Sequence, residues 1–399
     1  MKRKTRLSDK HYAVPFMLIT TLFFLWGFAR AILDVLNKHF QDELYISITQ
    51  SSLIQVTTYL GYFLMAIPAG IFINRYGYRR GVVFGLVLFG LGALAFIPGS
   101  TFEAFLAALF VIGCGLTFLE TAANPYVTEL GPHETASSRL NLSQTFNGMG
   151  CFMATLLVGG FLFSESDGHA DVSVPYAIMG VLVLLIAVVF TKVKLPEVTK
   201  EAAKDAVTGN GATMRSLFRN RLFVFGLLAL LSYEVAEISI NSYFVNFVTD
   251  TGWMSKLDAS RVVSLALVIF MIGRFLGSWI MRSVKAERML LCCALGTVAC
   301  MALTMLNLGI LSLSALIANY LFEAIMFPTI FSLAVQELGA KKKSAASLLM
   351  MTPIGGCGFL LMGYLADHTN PFLPFLIPLV GYAVVLAYAI RLCKATRKH

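Results

Sequence analysis

The amino-acid sequence predicts an all-α membrane protein, with twelve transmembrane helices in two pseudo-symmetric six-helix bundles. Three observations lead there. Hydrophobic residues make up 57% of the 399-residue chain and charged residues only 13%, about half the ~25% usual for globular proteins. The apolar residues gather into twelve runs, each near the roughly 20 residues a helix needs to cross a bilayer. Motifs in the first six runs return in the last six at a shift of roughly 205 residues, as in transporters built from internal repeats.

The basic start "MKRKTRLSDKH" precedes a first apolar run at about 13–39. That run is too long for the apolar region of a signal peptide, and no small-residue cleavage pattern follows it. An uncleaved first span is expected. Further spans are expected at about 51–74, 81–98, 103–129, 140–163 and 174–191, and then at 221–248, 260–281, 289–306, 309–336, 345–365 and 372–391. Backbone groups in lipid must be satisfied within a segment, so these runs are helices rather than open strands. The stretch "KVKLPEVTKEAAKDAVTGNGATMRSLFRNR" is the long polar segment between them. It divides the chain into an N-terminal bundle 1–191, a linker 192–220 with room for a short amphipathic helix, and a C-terminal bundle 221–399.

The net charge of +9 is not spread evenly. Lys2, Arg3, Lys4, Arg6 and Lys10 precede the first span, and Arg75, Arg79 and Arg80 follow the second. Further basic residues fill the linker, and others follow spans 8, 10 and 12 (Arg282 to Arg288, Lys341 to Lys343, Arg391 to Lys398). The opposite loops, such as "IPGST" and "SESDGHADVS", have almost none. By the positive-inside rule both termini and the linker face the cytoplasm. A charge confined to such loops is not a nucleic-acid signal. The seven cysteines lie in or at the ends of spans, with no CxxC pair. Neither a disulfide framework nor a zinc site is expected, and no cofactor is expected.

Ionisable residues within spans are costly, and they mark binding sites and proton paths. In span 1, Trp26, Arg30, Asp34 and Asn37 recur at helical spacing on one face. Span 2 offers Gln55 and Tyr62. Span 4 offers Thr117, Glu120 and Asn124, and span 5 offers Asn141, Gln144 and Asn147. In the second half, span 7 has Glu234, Glu237 and Asn241, and span 10 has Asn319 and Glu323. The acids fall at equivalent places, Asp34 with Glu237 and Glu120 with Glu323. Glu120 stands five residues before Pro125, and Glu323 five before Pro328.

Carboxylates, amides and an aromatic ring suit a sugar. The polar groups bond hydroxyls, and Trp26 can cover the apolar face of the pyranose. Structural readings stand beside this. Asn147 and Asn319 equally fit a role in tying helices together. Arg30 and Asp34, one turn apart, equally fit mutual neutralisation. Arg274 reads as structural, Trp279 as an interfacial anchor, and Asn37, His39 and Glu234 as residues of the membrane edge. An enzyme is not indicated, since no HExxH, GxSxG or phosphate loop is present.

"GIFINRYGYRR" resembles the loop between spans 2 and 3 of the major facilitator superfamily, with Asn74 where an aspartate is usual. Together "FLWGF", "LETAANPYVTELGP", "RLNLSQTFN", "YEVAEISINSYFVNF", "GRFLGSW", "FPTIFSLA" and "PIGGCGFLLMGYLAD" resemble the fucose–proton symporter family, which includes fucose and glucose/galactose permeases. The resemblance runs over nearly the whole chain. It implies the major facilitator fold, a central monosaccharide site and sugar import by proton symport in a bacterial cytoplasmic membrane. It assigns coupling to Asp34, sugar contact and coupling to Glu120, and sugar contact to Asn141.

Two positions depart from the family pattern. Fucose-type members often have asparagines where this chain has Arg30, and glucose/galactose types often have asparagine at Glu323. The substrate therefore stays open between fucose and a hexose such as glucose or galactose. The expected proton-coupling set is Asp34, Glu120, Glu237 and Glu323. The expected sugar set is Trp26, Arg30, Gln55, Glu120, Asn124, Asn141, Gln144, Glu237, Asn241 and Glu323. A monomer is expected, and sodium coupling or export are the alternatives.

Overall fold

A computed structural model describes residues 13–99, 101–130, 136–163, 172–193, 211–281, 284–335 and 351–396, with 338, 345, 348 and 349 between them. The described residues are helical, without strands. The helices are α1 (Ala13–Leu44), the short α2 (Ile48–Ser51), α3 (Leu53–Tyr76), α4 (Tyr78–Leu94), α5 (Phe102–Glu129), α6 (Ala136–Leu162), α7 (Ser173–Lys192) and α8 (Gly211–Arg219). They continue with α9 (Arg221–Asp250), α10 (Lys256–Ile280), α11 (Ala286–Met305), α12 (Ile310–Glu323), α13 (Met326–Val335), α14 (Phe359–His368) and α15 (Leu376–Thr396). Short 3-10 turns occupy Thr352–Gly358 and Leu373–Phe375.

Ten segments among the described residues are long and apolar enough to cross a membrane. The two other expected spans fall short for local reasons. At 81–98 the helix α4 has only 17 residues. At 345–365 the chain is partly outside the described residues, and the remainder is a 3-10 turn running into α14. The linker does form a helix, α8, whose Leu217 is buried while Phe218 is exposed.

Contacts group the chain into two compact units. The first holds Met1–Ile32 and Leu60–Val207. Here α4 packs on α5 and α7. Phe96 stacks flat on Tyr176 with ring centroids 3.8 Å apart. Helices α1 and α6 touch through their backbones. A Cβ on Gly150 would collide with the Phe24 carbonyl, and one on Gly27 with the Asn147 carbonyl. Small residues permit this approach, and at close range the Asn147 Nδ2 donates to the Phe23 carbonyl at 3.1 Å.

The second unit holds Leu33–Tyr59 and Thr208–His399. Helix α9 packs on α10, α13, α15 and the Thr352–Gly358 turn, while α11 packs on α12 and α15. The hairpin formed by the end of α1, by α2 and by the start of α3 belongs to this unit. Helix α2 begins with a capping box: Ser47 Oγ accepts from the Gln50 N–H, and the Gln50 Oε1 accepts from the Ser47 N–H. Asp367, just past the apolar part of α14, adds a second cap, accepting from the Ile48 and Thr49 N–H groups at 2.9 and 2.7 Å. Burial works against its charge, but the hydrogen bonds from Thr49 and Ile48 outweigh that and hold the carboxyl below its ordinary 3.8.

Candidate functional site

In the first unit the polar residues centre on Glu120. Its Oε1 accepts from the Tyr62 hydroxyl at 3.1 Å, and the Arg30 charge reaches it from α1. Glu120 is partly exposed, whereas Tyr62 is buried. One turn on in α5, the Asn124 Oδ1 is buried without a hydrogen-bond partner among the described residues. Trp26 is buried and stacks on Phe23 with centroids 4.4 Å apart. Gln144 is partly exposed on α6. The Asn141 side chain lies outside the described residues. Asn147 ties α6 to α1, one of the two readings its sequence position allows.

In the second unit three groupings stand out. Asp34 Oδ1 accepts from the Ser242 hydroxyl at 2.7 Å, and the Ser242 oxygen in turn accepts from the Gln55 Nε2 at 2.9 Å. Gln55 is fully buried, and its Oε1 has no partner among the described residues. The Asn241 Oδ1 accepts from the Tyr320 hydroxyl at 2.7 Å. Glu323 is fully buried, with one oxygen accepting from the Asn319 Nδ2 at 2.7 Å and from the Tyr382 hydroxyl. Its other oxygen, Oε1, is unpartnered among the described residues. The Glu237 charge reaches Glu323 as well.

Span 10 is interrupted beside Glu323. Helix α12 ends at that residue, α13 begins at Met326, and a turn lies between. Pro328 explains the turn, since it has no N–H to donate to the carbonyl four residues back and its ring crowds that carbonyl. The carbonyl is that of Ala324, and Arg274 of α10 supplies the missing donor, with Nε 3.1 Å away. The guanidinium also lies over the Phe270 ring at 4.5 Å, and its charge reaches Glu323. A discontinuous helix beside a buried acid is a recurrent transporter device.

The expected polar residues are thus gathered into two sets, Glu120 with Tyr62 and Arg30 in one unit, Asp34 with Gln55 and Glu323 with its partners in the other. Asn37, His39 and Glu234 are buried, at 0%, 7% and 2% exposure. Each is enclosed by protein, on helices that run on to Leu44 (α1) and Asp250 (α9). Trp279 is exposed at the end of α10, where an anchor belongs. Sequence reasoning missed Ser242, Tyr320 and Tyr382, which only packing brings to Asp34, Asn241 and Glu323.

A chain of membrane-length helices with acids held inside the spans is a membrane transporter in class. Residues 19–357 match the model of the major facilitator superfamily, and the chain belongs to that superfamily. It is 35% identical over 397 residues to the glucose/galactose transporter of Brucella abortus biovar 1 (strain 9-941), covering 96% of this chain and 95% of the relative. It is 34% identical over 411 residues to the L-fucose-proton symporter of Escherichia coli (strain K12), covering 96% and 94%. Among solved structures, an alanine variant of the E. coli fucose:proton symporter FucP superposes with a TM-score of 0.73 at 33% identity, over 95% of this chain and 98% of that one. A D-xylose-proton symporter shares the fold at a TM-score of 0.71 and 15% identity.

Proposed function

We propose that this protein imports a monosaccharide, fucose or a hexose such as glucose or galactose, by proton symport with alternating access. The observation that supports it most is identity of 34% to an L-fucose-proton symporter and 35% to a glucose/galactose transporter, each over 96% of this chain. The placement of Asp34, Glu120, Glu237 and Glu323 within apolar helices agrees with it.

In this reading Glu120 bonds sugar hydroxyls, held in position by Tyr62 and offset in charge by Arg30. Asn124, Asn141, Gln144 and Asn241 supply further polar contacts, and Trp26 an apolar face. Asp34 takes the proton, with the buried Glu323 and the half-buried Glu237 as a second pair of acids. The bundles 1–191 and 221–399 rock about the site, joined by the 192–220 linker. The protein acts as a monomer in the bacterial cytoplasmic membrane, with both termini and the linker in the cytoplasm.

Reconstituted protein tests the proposal. Proteoliposomes given an inwardly directed proton gradient are expected to accumulate one of fucose, glucose or galactose. Accumulation under a sodium gradient alone points to a sodium symporter, and sugar moving only outward points to an exporter.

A further inference from the structure

We propose that Ser242 is a positioning residue through which the proton on Asp34 governs closure of the Leu33–Tyr59 hairpin; this rests on the assignment of Asp34 to coupling. The geometry fixes what each group does. An amide Nε2 can only donate, and an ionised carboxylate can only accept. Ser242 therefore accepts from Gln55 of α3 and spends its single proton on Asp34 of α1. One buried hydroxyl on α9 joins both arms of the hairpin. Protonating Asp34 removes the charge that makes the second bond strong and lets the hydroxyl turn away.

The same hairpin is held along its length to the rest of the second unit. Lys38 pairs with Asp250 of α9 at 2.8 Å, with the lysine side chain 11% exposed. Asp42 pairs with Lys256 of α10 at 2.7 Å, and Asp367 caps α2. Among the described residues, side-chain polar atoms of Asn37 and Gln55 in the hairpin and of Ser239 and Asn246 in α9 are buried without a hydrogen-bond partner. Unpaired buried groups are costly in a settled interface. The charged and titratable groups around Asp34 are Arg30 and Lys38, each one turn away on α1, Glu237 on α9 and the Tyr320 hydroxyl of α12, which the Asp34 charge reaches. From α3 the facing group is the neutral Gln55.

The test uses the full chain in proteoliposomes with two readouts. The first compares proton-driven accumulation with sugar counterflow. S242A should lower accumulation roughly tenfold or more, as expected for loss of a hydrogen bond to a charged group, and should lower counterflow far less. S242T, which keeps the hydroxyl, should recover accumulation. The second is the rate at which an impermeant maleimide labels an Asn246→Cys variant from outside, above the rate of the parent chain. Labelling should quicken on acidification, and S242A should remove that pH dependence. This readout needs no sugar, so a failure of the proposed transport activity leaves it interpretable. Full accumulation and pH-dependent labelling in S242A overturn the proposal. So does a loss of counterflow equal to that of accumulation without rescue by S242T, which would assign Ser242 to folding.

Discussion

Glu120 and Glu323 occupy matching places in the two halves, yet their surroundings differ. Glu120 is partly exposed, with Tyr62 on one oxygen and the Arg30 charge nearby. It is open to further hydrogen bonds, as a sugar ligand must be. Glu323 is fully enclosed by Asn319 and Tyr382, and such a site suits a proton better than a sugar. Glu120→Gln should weaken sugar binding in detergent by roughly 10- to 100-fold, the ~1.5–3 kcal/mol of a hydrogen bond to a charged group, measured by calorimetry on folded protein. Glu323→Gln should reduce proton-driven accumulation without abolishing it, and Tyr382→Phe should act in the same direction, measured as the accumulation ratio in proteoliposomes. The acids were legible in the sequence because a carboxyl in an apolar run is costly and stays there for a partner or a task. Ser242, Tyr320 and Tyr382 were not, because serine and tyrosine are ordinary in spans and only packing brings them to Asp34, Asn241 and Glu323.

At the scale of helices, two features set the geometry. The α1–α6 crossing depends on Gly27 and Gly150, where a Cβ meets backbone that cannot rotate away. Gly150→Leu should separate the helices, break the bond from Asn147 to Phe23 and lower thermal stability. Retention of the parent Tm in that variant would contradict the packing account. The α12–α13 interruption was half legible. Pro328 and its distance from Glu323 stand in the sequence, but a proline is often tolerated in a membrane helix, and the span read as continuous over 309–336. That Arg274 supplies the lost donor is a fact of tertiary structure. Arg274→Leu should leave the Ala324 carbonyl unsatisfied, at about 1–3 kcal/mol, and lower Tm. Pro328→Ala in the same chain should restore much of the loss, because alanine returns the N–H. The Asp367 cap responds to pH in a defined sense. Its folded carboxyl titrates below the ordinary 3.8, so its contribution is complete above that value and is lost only as pH falls through the lowered one. Mild acidification that protonates a transport site therefore leaves this tie intact.

At the scale of the whole molecule, helical class and repeat were legible from hydrophobic runs and recurring motifs, since bilayer thickness fixes run length. The grouping of contacts was not. The sequence divides the chain at the polar linker, whereas the compact units divide α1 after Ile32 and α3 after Tyr59. Hydropathy cannot register this, because the ties of the Leu33–Tyr59 hairpin are a few polar pairs scattered over α9, α10 and α14. The proposed orientation predicts that cysteines introduced between Lys192 and Arg221 stay unreactive to impermeant reagents in intact cells, and labelling there from outside would reverse the topology. The central claim is that sugar and proton move together and that Asp34 joins them. It is tested most directly by recording external pH while the transported sugar is added to lightly buffered proteoliposomes without an imposed gradient. The parent chain should draw protons inward, so that the outside turns alkaline, while Asp34→Asn gives no pH change yet still exchanges sugar in counterflow. Sugar entry by the parent without alkalinisation, or equal alkalinisation by Asp34→Asn, would contradict it.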